Sequence, residues 1–291
     1  MRLLAILLAL WLNRHPQRLD PWRRTAPLLR LAERWYRVCA GVPGRDGPLG
    51  LILLLAPPVA VAVLLQWWAL RALGGLAELV LGAAALVFAF GSGRLKDHLQ
   101  QFLAAWRRGD HVAAGHAAAE LDPALAGAEH HELPEQVLRA LLCESLERWA
   151  GPVLWLLLLG PAGAVTYRLA CLARHFTESR RQELPGLARS AAGLAWLAGW
   201  IPARLQALSF GLAGSFSGAV EGWQSVAVVL TRDSNRELLA GAGLGALGLP
   251  PLRSPRDVTP EGLEEARTLV RRALMLWLAA TALATVAGWV A

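Results

Sequence analysis

Apolar and charged stretches alternate along the whole chain. Long runs with very few charges cover residues 49–73, 76–92, 151–169, 190–218 and 273–290. Most of them approach or exceed the ~20 residues that an α-helix needs to cross the hydrocarbon core of a bilayer. The pattern predicts an all-α fold, namely a polytopic integral membrane protein with four to five membrane segments.

The central apolar run, residues 151–173, contains its own interruption. Its first half is bulky, and its second half begins with Gly160-Pro161-Ala162-Gly163. Glycine and proline can break a helix, and in lipid such a break is tolerated only where protein or trapped water binds the freed backbone groups. The sequence leaves two alternatives open: a spanning helix with a proline kink, or a broken or re-entrant segment inside a helix bundle.

Residues 93–149 are polar and predict a helical insertion between membrane segments. Apolar positions recur at helical spacing, Gly109-Asp110 marks a helix end and a new N-cap, and Pro134 opens a third helix. Five of the seven histidines lie here, but none has the spacing of a zinc motif. We therefore expect no metal site and no cofactor, and we interpret this unit as a surface for a cytoplasmic protein partner.

Composition supports a membrane protein and limits its partners. Hydrophobic residues make up 55% of the 291 residues, and the mean hydropathy is +0.39, which is too apolar for a soluble domain. The net charge of +7 comes from arginine, since Lys96 is the only lysine. This balance suits contact with anionic lipids, and no motif indicates nucleic-acid binding.

Arginine-rich flanks predict the orientation of the chain. Eight arginines lie between residues 14 and 48, and Arg271-Arg272 precede the last apolar run. By the positive-inside rule these flanks face the cytoplasm, which places the turn at Gly74-Gly75 outside. The prediction is a multi-pass protein of the bacterial inner membrane with a cytoplasmic N-terminus. Its predicted segments are N-terminal interfacial helices (1–48), a transmembrane hairpin (49–92), a cytoplasmic helical unit (93–149), broken and transmembrane segments (150–218), a cytoplasmic loop and helix (219–270) and a C-terminal transmembrane helix (271–291).

Two features of the C-terminal half have a local structural interpretation. The glycine-rich run between Gly241 and Gly248 does not match a phosphate-binding GxGxxG loop, so it predicts close packing of small residues. Thr259 directly before Pro260 predicts an N-cap at the start of the last helix.

An arginine inside an apolar run is the feature that points to a ligand. Pro202 removes a backbone donor, and the Arg204 guanidinium cannot lose its charge, so neither suits a lipid-facing helix interior. One alternative is that Arg204 extends to lipid headgroups. The other is an anion-attracting pocket without an obvious internal acid, which would bind an anionic small ligand. The residues predicted to line it are Tyr167, Arg168, Arg174 and Arg204, with Ser234 and Asn235 from a loop.

Three blocks of the sequence resemble AmpE, an inner-membrane regulatory protein family linked to β-lactamase induction. The blocks are Leu154-Trp155 followed by Gly160 to Leu169, then Trp200 to Leu205, and then Ser234-Asn235 followed by Gly245 to Gly248. The resemblance covers essentially the whole chain. It implies a signalling modulator of the response to β-lactam antibiotics, rather than an enzyme.

The same blocks are distantly similar to the cobinamide-phosphate synthase family CobD/CbiB. That similarity implies a membrane enzyme that joins an aminopropanol phosphate to adenosylcobyric acid through an amide, using ATP. The chain departs from the synthase pattern, because Arg174 stands where that family has Asp and Cys171 where it has Asn. Since carboxylates usually hold Mg²⁺ beside phosphate groups, the departures favour the AmpE-type function. The synthase is the alternative, and a small-molecule carrier built on the broken segment is a third hypothesis.

Overall fold

The structure is a computed structural model that describes residues 1–13, 26–38, 44–91, 95–122, 125–226, 234–249 and 258–288. No strand occurs among these residues, which confirms the all-α prediction. Residues 14–25 of the arginine-rich stretch lie outside the described ranges. The α-helices of the described part are α1 (Arg2–Leu12), α2 (Ala26–Val38), α3 (Pro48–Leu73), α4 (Gly75–Phe90), α5 (Leu95–Arg107), α6 (His111–Leu121), α7 (Leu133–Ser145), α8 (Gly151–Leu159), α9 (Pro161–Glu178), α10 (Pro185–Ala213), α11 (Phe216–Val226), α12 (Ser234–Ala246) and α13 (Pro260–Val286).

The chain forms two compact units, each assembled from segments that lie far apart in the sequence. The first unit contains Met1–Ser92, Glu147–Pro202 and Thr281–Ala291, and the second contains Gly93–Leu146 and Ala203–Ala280. This grouping by contact does not test the layout in a membrane. The division into six membrane and cytoplasmic segments therefore stays a prediction.

Two described helices are long and apolar enough to cross a membrane. They are Pro48–Ala72, with a mean hydropathy of 2.4, and Pro260–Val286, with a mean hydropathy of 1.5. Only 17% of the apolar window in each is buried, whereas a helix in the core of a soluble protein is apolar all round and enclosed. Helix α4 has 16 residues, which span ~24 Å, less than the ~30 Å of a bilayer core. Two of the four to five predicted segments thus have both the required length and the required hydropathy, and crossing by the others stays a prediction.

The central apolar run is broken at Gly160. Helix α8 ends at Leu159, Gly160 has a φ of 75°, and α9 starts at once with the next residue. The side-chain amide of Gln66, in the apolar helix α3, bridges this break. Its Nε2 donates to the Leu159 carbonyl at 3.2 Å, and its Oε1 accepts from the Ala162 N–H at 2.7 Å. A donor and an acceptor that the break leaves without helical partners are therefore both satisfied.

Helix α10 runs without interruption through Pro202. A proline inside a helix cannot donate to the carbonyl four residues earlier, which here is that of Ala198. The indole Nε1–H of Trp155 donates to this carbonyl at 3.0 Å. The helix can continue because a side chain from α8 replaces the missing backbone donor.

Two further hydrogen bonds between described residues of the first unit have the same arrangement. In α3 the Leu53 carbonyl lies four residues before Pro57, and the indole of Trp35 donates to it at 3.0 Å. Near the end of α8 the Leu157 carbonyl accepts from Arg2 Nη1 at 2.6 Å. Side chains from other helices thus bind backbone groups that glycine and proline leave free, and these bonds connect α1, α2, α3, α8 and α10.

In the second unit, α11 and α12 pack closely through paired glycines. A Cβ on Gly222 would lie 2.0 Å from the Gly241 carbonyl oxygen, and one on Gly245 would lie 1.9 Å from the Gly218 carbonyl oxygen. Each helix therefore carries two glycines four residues apart at the contact, where only the absence of a side chain lets the backbones approach. Close packing of small residues, predicted for the glycine-rich run, is confirmed.

Two predicted N-caps are also present. Asp110 Oδ1 accepts from the Ala113 N–H at 3.0 Å at the start of α6, and Thr259 Oγ1 accepts from the Gly262 N–H at 3.3 Å at the start of α13. Both bonds satisfy a donor in the first turn that has no helical acceptor, which is why the sequence pattern was sufficient to locate these helix starts.

We predict that Gly222→Ala destabilises the protein, because the added methyl group would overlap the Gly241 carbonyl. Overpacking of this kind lowers the free energy of unfolding by ~1–3 kcal/mol. The matched control is Gly115→Ala, at a helical position with nothing within 4 Å of the added Cβ. Thermal unfolding of the detergent-solubilised chain should show a lower Tm for Gly222→Ala and an unchanged or higher Tm for the control. Equal Tm values for both variants would contradict the packing.

A second prediction concerns the Trp155 hydrogen bond. Trp155→Phe should destabilise the chain by ~1–3 kcal/mol, because the Ala198 carbonyl then lacks a donor. Pro202→Ala restores a backbone N–H at residue 202, so the same Trp155→Phe change should cost less in that background. A double-mutant cycle measures this coupling by thermal unfolding. Trp68→Phe, at a residue that is 62% exposed, is the control. Additive effects of the two changes would argue against the proposed role of the indole.

Candidate functional site

A single π-helical turn, Leu146–Ala150, follows α7 and positions a buried acid. Such turns redirect a side chain and are frequent at functional sites. Glu147 lies in this turn, and only 8% of the residue is exposed. A carboxylate at this depth requires charged or hydrogen-bonding partners to remain ionised.

Two partners of Glu147 are consecutive residues of α9. Glu147 Oε1 accepts from Arg174 Nη2 at 2.5 Å, and Glu147 Oε2 lies 2.9 Å from His175 Nε2. The Glu147 side chain is 10% exposed and that of Arg174 is 17% exposed, whereas His175 is 45% exposed. The carboxylate is thus buried between the two α9 side chains, and the imidazole of His175 reaches the surface of the first unit.

One face of α9 carries the polar side chains of this site. Tyr167, Cys171, Arg174 and His175 are spaced i, i+4, i+7 and i+8, which places them on the same side of a helix. Tyr167 and Cys171 are 3% and 2% exposed. The Tyr167 ring lies against Gly151, where a Cβ would be 2.2 Å from the ring carbon Cζ. The glycine at the start of α8 is therefore required for the ring to pack there.

Arg168 points to a different part of the first unit. Its Nη2 lies 3.0 Å from the position that a Cβ would occupy on Gly91, the C-cap of α4. A cation at this end of a helix is stabilised by the partial negative charge of the terminal carbonyls. The Arg168 Nε atom is buried and has no hydrogen-bond partner in the described part of the chain. The Nε–H group of Arg168 is therefore an unused hydrogen-bond donor among the described residues.

The structure corrects one premise of the predicted pocket. Tyr167 and Arg174 do share one face of α9, but the expectation of an arginine cluster without an internal acid is wrong. Glu147 neutralises Arg174 at 2.5 Å. The acid was missed because it lies 27 residues earlier in the chain, where only tertiary packing brings it to α9.

The other three predicted site residues belong to the second unit. Arg204 is half-buried within α10, and Ser234 and Asn235 form the first turn of α12. The prediction that Ser234 and Asn235 lie in a loop is therefore wrong. Convergence of these residues with Tyr167 stays a prediction. In the described ranges, no group of three or more His, Cys, Asp or Glu side chains could hold a metal ion.

Sequence reasoning also missed His175 and Cys171 as site residues. The signal was present, because both fall on the helical stripe that starts at Tyr167.

A cleft of about 250 Å³ in the second unit is a weaker candidate for anion binding. Its arginines already bind acids: Arg236 lies 3.2 Å from Asp122, and Arg139 also has a carboxylate partner.

Comparison with known proteins identifies the family. The family described as CobD/Cbib protein matches residues 2–243. "Cobalamin biosynthesis protein CobD" of Chromobacterium violaceum is 30% identical over 253 residues, which cover 80% of this chain and 78% of that protein. The protein of the same name from Stutzerimonas stutzeri is 27% identical over 235 residues, covering 78% of this chain and 75% of the relative. No solved structure matches the chain significantly.

These matches overturn the predicted AmpE-type function. The prediction of a regulator of β-lactamase induction that signals the response to β-lactam antibiotics is wrong. Both relatives carry the name of a cobalamin-biosynthesis protein. The expectation that the chain is not an enzyme loses its support for the same reason. The sequence blocks were similar to both families, and the choice between them depended on the carboxylate missing at position 174. Glu147 supplies a carboxylate beside that position. The match over residues 2–243 and the 30% identity to a relative show that the chain belongs to the CobD/Cbib family.

Proposed function

We propose that this chain is a membrane-bound synthase of cobalamin biosynthesis. It would form an amide between a corrinoid carboxylic acid and an amino-alcohol phosphate, with ATP as the activating substrate. The observation that carries the proposal is the family match over residues 2–243, which includes the π-helical turn and all of α9. Both relatives are named as cobalamin-biosynthesis proteins, which is the pathway proposed here.

The polar groups of the first unit fit the chemistry of this reaction. The amino-alcohol substrate carries a phosphate, and a guanidinium is the side chain best suited to bind one through paired hydrogen bonds. Arg168 has that group, with its Nε buried and lacking a partner in the described ranges. The positive charge of Arg174 is already compensated by Glu147, so we assign phosphate binding to Arg168.

The exposed apolar surface supports a location in a membrane. Along α3, large apolar side chains such as Val61, Leu64 and Trp68 are each more than 60% exposed. Exposed surface of this extent is unfavourable in water and indicates contact with lipid. We propose the bacterial inner membrane as the location, with several passes and a cytoplasmic N-terminus, where corrinoid and ATP would both be accessible.

The proposal predicts synthase activity that can be measured directly. The full chain, expressed in a strain that lacks its own synthase, should restore cobinamide-phosphate formation, detected by mass spectrometry. Arg168→Gln should raise the KM for the amino-alcohol phosphate at least tenfold, because a charge-assisted bond contributes ~1.5–3 kcal/mol to binding. Its effect on the KM for ATP should be smaller.

Arg107→Gln is the control for loss of an arginine, since Arg107 binds Glu264 on the exposed surface of the second unit. That variant should keep the wild-type KM for both substrates. Absence of product from a chain that is present and folded in the membrane fraction would overturn the proposed function. An unchanged KM in Arg168→Gln would leave the reaction in place and remove Arg168 from the phosphate site.

A further inference from the structure

We propose that His175 accepts the proton that the amine loses during amide formation, and that Glu147 is the positioning residue that orients its ring. This inference rests on the proposed synthase function and assigns the base within it. The two residues come from separate helical segments, and the 2.9 Å contact between Glu147 Oε2 and His175 Nε2 joins them.

The hydrogen bond determines which ring nitrogen is available to substrate. An ionised carboxylate can only accept hydrogen bonds, so His175 Nε2 must carry the hydrogen. In the neutral imidazole Nδ1 is then the atom with the free lone pair. The Glu147 side chain is 10% exposed and that of His175 is 45% exposed. The acid is thus enclosed, while the ring that it orients is open to an incoming amine.

Arg174 makes Glu147 suitable for this task. Its Nη2 lies 2.5 Å from Glu147 Oε1, and His175 contacts the other oxygen, Oε2. Both carboxylate oxygens are therefore bound. The guanidinium favours the ionised form of Glu147 at this depth, because it supplies the opposite charge that a buried carboxylate needs. The π-helical turn Leu146–Ala150 fixes the backbone from which Glu147 extends. Glu147 orients His175, and Arg174 holds Glu147 in place. This is the arrangement of an oriented general base.

The base acts in the second of two chemical steps. ATP transfers its γ-phosphoryl group to the corrinoid carboxylate, which yields an acyl phosphate and ADP. The neutral amine nitrogen of the amino-alcohol phosphate attacks the acyl carbon, so a C–N bond forms and the C–O bond to the phosphate breaks. Inorganic phosphate leaves, and the proton released from nitrogen passes to His175 Nδ1. Stabilising the imidazolium formed in this step is the role of the Glu147 carboxylate.

The test uses the full-length, detergent-solubilised chain with a corrinoid carboxylic acid, the amino-alcohol phosphate and ATP. His175→Ala should lower kcat by about 10²–10⁴-fold with little change in KM, which is the usual contribution of a positioned base. Glu147→Gln should lower kcat by a smaller factor, because the ring keeps a hydrogen-bond partner but loses the nearby charge. His116→Ala is the matched control, since His116 is an exposed helical histidine of the second unit, and it should keep wild-type kinetics.

Two further readouts separate a base from a structural histidine. Added imidazole should restore part of the kcat of His175→Ala in a concentration-dependent way, without restoring that of Glu147→Gln. An aminooxy analogue of the amino-alcohol phosphate has a much less basic nitrogen, which loses its proton more readily after it attacks the acyl carbon. It should therefore show a much smaller defect with His175→Ala than the natural amine does. Thermal unfolding of both variants checks that they are folded.

The outcomes are distinguishable from failure of the proposed function. If the wild-type chain forms no amide, the proposed synthase function and the assignment of His175 as the base are both wrong. If the wild-type chain is active and His175→Ala or His175→Gln retains its kcat, only the assignment of the base is overturned. Loss of activity that imidazole does not rescue, with an equal defect for the amine and the aminooxy substrate, would also overturn it.

Discussion

The first unit depends on hydrogen bonds from side chains to backbone groups that prolines and a helix break leave without partners. In an apolar environment each unsatisfied carbonyl or N–H is strongly unfavourable, so a broken or proline-containing helix needs an external donor or acceptor. Gln66 supplies both at the Gly160 break. Trp155 supplies the donor at Ala198. Further bonds of this kind are Trp35 to Leu53 and Arg2 to Leu157.

These bonds also explain how the site acquires its geometry. Helix α9 starts directly after the break at Gly160, and it presents the stripe that starts at Tyr167 and ends at His175. Gly151, at the start of α8, leaves room for the Tyr167 ring, and the preceding π-helical turn projects Glu147 toward Arg174. The break, the turn and the polar face are therefore parts of one arrangement.

The charge on α9 shows why a single sequence position is a poor guide to the chemistry of a site. By the resemblance to the synthase family, Arg174 stands where that family has an acid. Taken alone, this departure argues against handling of phosphate and ATP. In the fold the arginine is neutralised by Glu147, so the site contains a carboxylate that comes from another helical segment. The total charge of a buried cluster, rather than the charge at one position, decides what it can bind.

The sequence by itself determined the all-α class, the helix starts at Asp110 and Thr259, and the small-residue contact of the glycine-rich run. These features depend on hydrophobic periodicity, caps and side-chain size, all of which act over a few residues. Only the tertiary structure decided that Glu147 meets α9 and that Gln66 spans the break. Those contacts join residues 27 and 96 positions apart. Such pairs are selected by the packing of whole helices, and no local pattern in either partner encodes the other.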